Sequence, residues 1–127
     1  MLAGLCLLSV YPAAAHSDVY VIVNPGTKLT AEDIRNIYTG EMDLVGSARI
    51  RVYDNATARP EFLSKVLQID ATKYDALWTK KSFRDGATPP TVKGSDDDVI
   101  AIVKSTPGAI GYISSAPPAG VTLVKKY

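Results

Sequence analysis

The stretch Asp18-Val-Tyr-Val-Ile-Val-Asn24 places five β-branched or aromatic residues in a row with no polar interruption. A strand with one face in water alternates apolar and polar residues, because successive side chains point to opposite faces. A strand without alternation has to be covered on both faces, as in a sheet sandwiched between layers. This run ends at Asn24-Pro25-Gly26, which reads as a turn.

The rest of the chain supplies the covering layers. Thr30 is placed to cap a helix in which Ile34, Ile37 and Tyr38 recur at spacings of three and four, and Gly40 closes it. The segment Ala48-Arg-Ile-Arg-Val-Tyr-Asp54 alternates Ile50 and Val52 against Arg49, Arg51 and Tyr53, predicting a strand with one face toward a polar edge. Phe62, Leu63, Val66 and Leu67 form a helical apolar stripe, and Tyr74, Leu77 and Trp78 form a second. Residues 84–94, with Gly86, Pro89 and Pro90, read as a loop. Ser95 followed by Asp96, Asp97 and Asp98 is a variant capping box at a helix start, with Val99, Ile102 and Val103 behind it. Strands follow at Thr106-Pro-Gly-Ala-Ile-Gly-Tyr-Ile-Ser114 and Gly120-Val-Thr-Leu-Val-Lys-Lys-Tyr127. Helices between strands predict an α/β sandwich.

Of the 127 residues, the first fifteen are apolar and uncharged and end in small residues, predicting a signal peptide, residues 1–15, cut before His16. That leaves about 112 residues, 16–127, enough for one domain with a modest core. The only cysteine, Cys6, leaves with the signal peptide, and with it any disulfide or thiolate chemistry. Fourteen basic residues against thirteen acidic ones argue for neither nucleic acid nor a membrane surface as partner.

Several segments together resemble the short phosphate-transporter-type substrate-binding proteins, relatives of the periplasmic phosphate-binding protein of ABC importers. They are the helix ending Ile37-Tyr38-Thr39-Gly40, Trp78 followed by Phe83 and Gly86, and the strand entry Pro107-Gly-Ala-Ile-Gly-Tyr112, all in the family's order. The resemblance runs from about Val19 to Lys125. It implies a type II periplasmic binding fold, in which two α/β lobes close on a ligand, and this chain is long enough for a single lobe: a mixed sheet flanked by helices. One lobe leaves one side of a ligand in water, so tight binding calls for a second copy (a homodimer), a partner chain or a deep groove.

In full-length relatives the loop after the second strand reads Arg-x-Asp-x-Ser-Gly-Thr and grips phosphate. Here the positions are Val52, Tyr53, Asp54, Asn55, Ala56, Thr57 and Ala58, so only Asp54 keeps its place. A helix start still offers backbone N–H groups to an anion, Thr57 adds a hydroxyl, and Arg59 adds a guanidinium suited to two-point contact with an oxyanion. Asn55 or Thr57 serves equally well as a plain N-cap, with Pro60 preset for the first turn. Asn24, Gly26 and Thr27 are further candidates, since open α/β sheets bind ligands at the carboxyl ends of strands, though a simple turn explains them too.

The sole histidine is His16, and no spacing marks a catalytic pair, so an enzyme is not expected, nor a metal site or a cofactor. Two readings stand. One is a periplasmic solute-binding domain for a small oxyanion such as phosphate, serving a membrane permease. The other is an interaction or sensor module, docking on an envelope protein, that keeps the fold and has lost the anion site.

Overall fold

The computed structural model describes residues 18–127; the signal-peptide expectation and His16 lie outside them. The elements are β1 (Tyr20–Val23), α1 (Ala31–Tyr38), β2 (Leu44–Val45), β3 (Ala48–Arg49), β4 (Arg51–Asn55), α2 (Arg59–Phe62, continued by a π turn over Leu63–Leu67), α3 (Ala71–Asp85), β5 (Thr91–Lys93), α4 (Asp96–Ser105), β6 (Ala109–Ile113) and β7 (Thr122–Lys126). Five strands form one sheet in the order β5-β4-β6-β1-β7, and β2 and β3 form a separate hairpin. The sheet is mixed. β4 runs parallel to β5 and β6, while β1 is antiparallel to β6 and β7.

The unbroken apolar run at β1 has the consequence its composition implies. Val21 and Val23 belong to the larger core, on the face covered by α1, α2 and α3, whereas Ile22 belongs to a second core with Val99 and Val103 of α4. All three are essentially inaccessible to water. The sheet therefore has helices on both faces, as a mixed sheet buried on each side requires.

Two of the resembling segments lock together. Gly40, just past α1, takes a left-handed φ of +78°, and a Cβ there would lie 2.8 Å from Lys81 Cδ and 3.0 Å from Trp78 Cη2. Glycine thus lets the end of α1 lie against α3. The Trp78 indole N–H in turn donates to the Tyr38 carbonyl at 3.0 Å, satisfying a group freed at the helix end. At the other end of α1, Thr30 holds the N-cap position foreseen for it, and its N–H donates to the Asp33 carboxylate at 3.0 Å.

Three local expectations are corrected. The strand foreseen over 48–54 is split at Ile50: Ala48 and Arg49 pair with β2, whereas Arg51 and Val52 pair with β6, so the chain changes partner midway. The segment read as loop through residue 94 contains β5, three residues that extend the sheet beyond β4. The residue at the N-cap of α2 is neither Asn55 nor Thr57 but Ala58, since the helix starts at Arg59.

Candidate functional site

Ile50, Val52 and Asp54 share one face of their strand by parity, and that face is turned to the larger core. Asp54 is consequently only 2 % exposed. Its carboxylate accepts hydrogen bonds from Tyr112 Oη at 2.8 Å and from Tyr74 Oη at 3.0 Å. Burial pushes the carboxyl above its ordinary value. The hydrogen bonds from Tyr112 and Tyr74 and the charge of Arg59 pull it back only partly. Burial and the neighbouring carboxylate push both tyrosine hydroxyls well up, so they stay donors.

Asn55, the next residue, is fully buried and ties the end of β4 to the start of α4. Its amide donates to Asp96 Oδ1 at 2.7 Å and to the Tyr112 carbonyl at 3.0 Å. Its Oδ1 accepts from the backbone N–H groups of Thr57 at 3.0 Å and Ala58 at 3.4 Å. The Ala56 N–H donates to the Lys93 carbonyl, and the Thr57 hydroxyl donates to the Gly94 carbonyl. The amides leading into α2 are thus bonded within the protein. Asp96, at the start of α4, also accepts from the backbone and hydroxyl of Ser114.

Arg59 stands at the mouth of this corner. Its guanidinium pairs with the Asp75 carboxylate and lies 5.2 Å from the centroid of the Tyr74 ring. Burial opposes the charge, but the hydrogen bond and charge of Asp75 outweigh it and hold the guanidinium firmly protonated. Arg59 Nε is buried and without a hydrogen-bond partner. An open groove of about 440 Å³ begins here, lined by Asp54, Arg59, Trp78, Phe83, Pro90 and Val92 among others. Phe83 is 89 % exposed and Val92 56 %.

The remaining candidates lie elsewhere. Asn24 donates to the Val103 and Lys104 carbonyls at the end of α4, Gly26 N–H donates back to Asn24 Oδ1, and the Thr27 hydroxyl accepts from Gly108 N–H. Because β1 is antiparallel to β6, Val23 pairs with Ile110 near the start of β6; because β4 is parallel to β6, Asn55 lies toward the far end. Asn24, Gly26 and Thr27 are therefore at the opposite end of the sheet from Asp54, Asn55, Thr57 and Arg59. The structure brings the second group together and keeps the first apart from it.

Asp75 and Tyr74, which complete the corner, were not foreseen as site residues. Nothing in the spacing links Asp75 to Arg59 sixteen positions earlier; the signal for a buried carboxylate was present in the parity of Asp54 with Ile50 and Val52, but it was not drawn from the sequence. Tyr112 is core with its hydroxyl on Asp54. Among the described residues no trio of His, Cys, Asp or Glu is arranged to hold a metal ion, and no helix is long and apolar enough to cross a membrane.

No protein-family model and no curated protein matches the chain. Solved structures do. A phosphate ABC transporter substrate-binding protein from Clostridium perfringens, solved with bound phosphate, matches with a TM-score of 0.63 at 24% identity, over 84% of this chain and 44% of that one. An ABC-type phosphate transport receptor from Vibrio cholerae matches at 0.59 and 19%, over 84% and 45% of the two chains. PstS from Borrelia burgdorferi matches at 0.54 and 23%, over 75% and 39%. The likeness is one of fold: this chain has the architecture of a single lobe of the periplasmic binding proteins and spans less than half the length of each of these structures.

Proposed function

We propose that this chain, folded as one lobe of the phosphate-type periplasmic binding proteins, is a secreted, non-catalytic binding lobe for a small oxyanion of the phosphate class, serving a membrane permease. The observation that carries the reading is Arg59. A guanidinium that stays charged at any working pH is held at the mouth of an open groove, with one N–H lacking an acceptor. An unsatisfied buried donor costs about 1–3 kcal/mol, which an arriving acceptor recovers if the side chain shifts to meet it.

The neighbouring acids set the strength. Asp75 already occupies the guanidinium and Asp54 lies behind it, so an oxyanion has to displace one carboxylate and sit near another. Binding by the lobe alone is expected to be weak. Calorimetric titration with inorganic phosphate and with sulfate tests it: the wild type gives saturable heat in the millimolar range, Arg59→Ala abolishes it, and Asp75→Asn, which frees the guanidinium, tightens it by about tenfold, or about 1.4 kcal/mol. No heat from either anion and no rise in melting temperature would overturn the reading.

One observation favours the second reading, an interaction module that has given up its ligand. The N–H groups of Ala56, Thr57 and Ala58 are already bonded to the protein's own acceptors. On that reading Arg59→Ala changes stability and leaves anion titrations flat in every variant.

A further inference from the structure

The exposed face of α3 carries a pattern that monomer folding does not use. Thr72, Ala76, Thr79 and Phe83 recur at spacings of four, three and four, and all four are exposed. In heptad terms these are d, a, d and a positions, the seam through which two helices pair. The seam is uncharged, its middle is built of small residues that let backbones approach closely, and it ends in the 89 % exposed Phe83. On the same helix, Asp75 falls at the preceding g position and Lys80 at the following e position. In a parallel two-helix pairing, a g residue of one helix meets the e residue five positions on in the other, and opposite charges there set partner and orientation. Asp75 and Lys80 are such a pair, satisfied twice by two-fold symmetry. The antiparallel alternative sets like flanks together, Lys73 and Lys80 of one helix against those of the other, and is repelled.

We infer that a second copy of this chain docks through α3, parallel and two-fold related, with Ala76, Thr79 and Phe83 meeting their equivalents across the axis and Lys80 of each copy reaching Asp75 of the other. An interface in which each patch meets itself is what a closed symmetric dimer requires. The groove at Arg59 includes Asp75, Thr79 and Phe83 on its wall, so the second copy roofs it. The pairing also acts on the site. Lys80 from the second copy competes with Arg59 for the Asp75 carboxylate, which releases the guanidinium and brings a second cation to the groove. This consequence rests on the oxyanion reading above; the docking surface does not.

Sedimentation equilibrium without ligand tests the surface first. The seam is short, so the dimer is expected to populate only toward about 0.1 mM, as befits an interface below the standard size. Phe83→Ala and Lys80→Glu each raise the dissociation constant by about tenfold or more, Lys80→Arg leaves it unchanged, and Ala76→Leu, which fills an a position, lowers it by about tenfold. Circular dichroism of each variant separates loss of pairing from loss of folding, and the gain expected of Ala76→Leu needs no such control. A monomer at this concentration for both the wild type and Ala76→Leu overturns the inference, as does a dimer indifferent to Phe83→Ala, Lys80→Glu and Ala76→Leu. Phosphate titrations at concentrations below and above the dimer transition then read the coupling: affinity that rises with dimer content supports the released guanidinium. Heat from a monomeric protein would retain the binding reading and reject the surface, and a dimer without heat would do the reverse.

Discussion

Alanine in place of Gly108 is expected to destabilise the domain by about 2–5 kcal/mol, a large part of the 5–15 kcal/mol typical of a whole domain. Two costs add. Gly108 has a φ of +83°, a region where a Cβ costs about 1–2 kcal/mol. The Cβ would also lie 2.4 Å from the Arg49 carbonyl oxygen, a backbone atom that cannot rotate away as a side chain can. The close approach exists because the chain changes partner at Ile50: Arg51 N–H donates to the Gly108 carbonyl at 2.9 Å, which draws the start of β6 against the turn between β3 and β4. Gly86→Ala is the control, since Gly86 has a φ of +67° with nothing within 4 Å of its would-be Cβ and so carries only the conformational cost, about 1–2 kcal/mol. Urea midpoints of the two variants separate the terms. Equal losses would show that the contact with Arg49 yields and that only the dihedral matters.

The same partner change shows where the sequence is transparent and where it is not. Local rules were sufficient where a residue's role is decided by its near neighbours. Thr30 and Ser95 stand at helix starts, Gly40 ends a helix, and the missing alternation in Val19–Val23 requires two covered faces. They fail where a distant strand decides. Ile50 continues the alternation of Val52 without a break, yet the ladder moves from β2 to β6 there, and β5 is a strand only because Tyr53, Asp54 and Asn55 offer it an edge. Strand direction is also invisible in composition. Asn24 and Asn55 each follow a stretch that reads as a strand and look equivalent in sequence, but one strand runs opposite to the other, and the two residues stand at opposite ends of the sheet. For the site, the residue types at the end of β4 were legible, while their partners were not: Asn55 spends its acceptor on the amides left for an anion, and Asp75 meets Arg59 from another helix.

Asp54 tests how much of this corner is structural. Asp54→Ala leaves the hydroxyls of Tyr74 and Tyr112 without their acceptor, at about 1–3 kcal/mol each, partly relieved by water from the open groove, so a loss of about 2–4 kcal/mol is expected near pH 4, shrinking as pH rises because alanine, like asparagine, lacks the titrating carboxyl. Asp54→Asn keeps one acceptor oxygen and removes the charge, and its effect depends on pH with a defined sign. Because burial raises the carboxyl above its ordinary 3.8, the folded chain holds the proton at pH values where the unfolded chain has lost it. Stability therefore falls as pH rises from 3.8 through the raised value, and the favourable contribution of the protonated form is fully present only below that window. The groups facing the carboxyl do not reverse the sign: Tyr74, Tyr112 and Arg59 draw it down and Asp75 pushes it up, with burial the largest of the contributions. Asparagine has no such window, so Asp54→Asn should be clearly destabilising near pH 4 and progressively less so toward pH 7. Urea denaturation of wild type and variant across that range reads the difference directly. A gap that stays constant with pH would mean that the carboxyl titrates alike in the folded and unfolded chain, and one that widens toward neutrality would mean that the Arg59 charge, not burial, governs it.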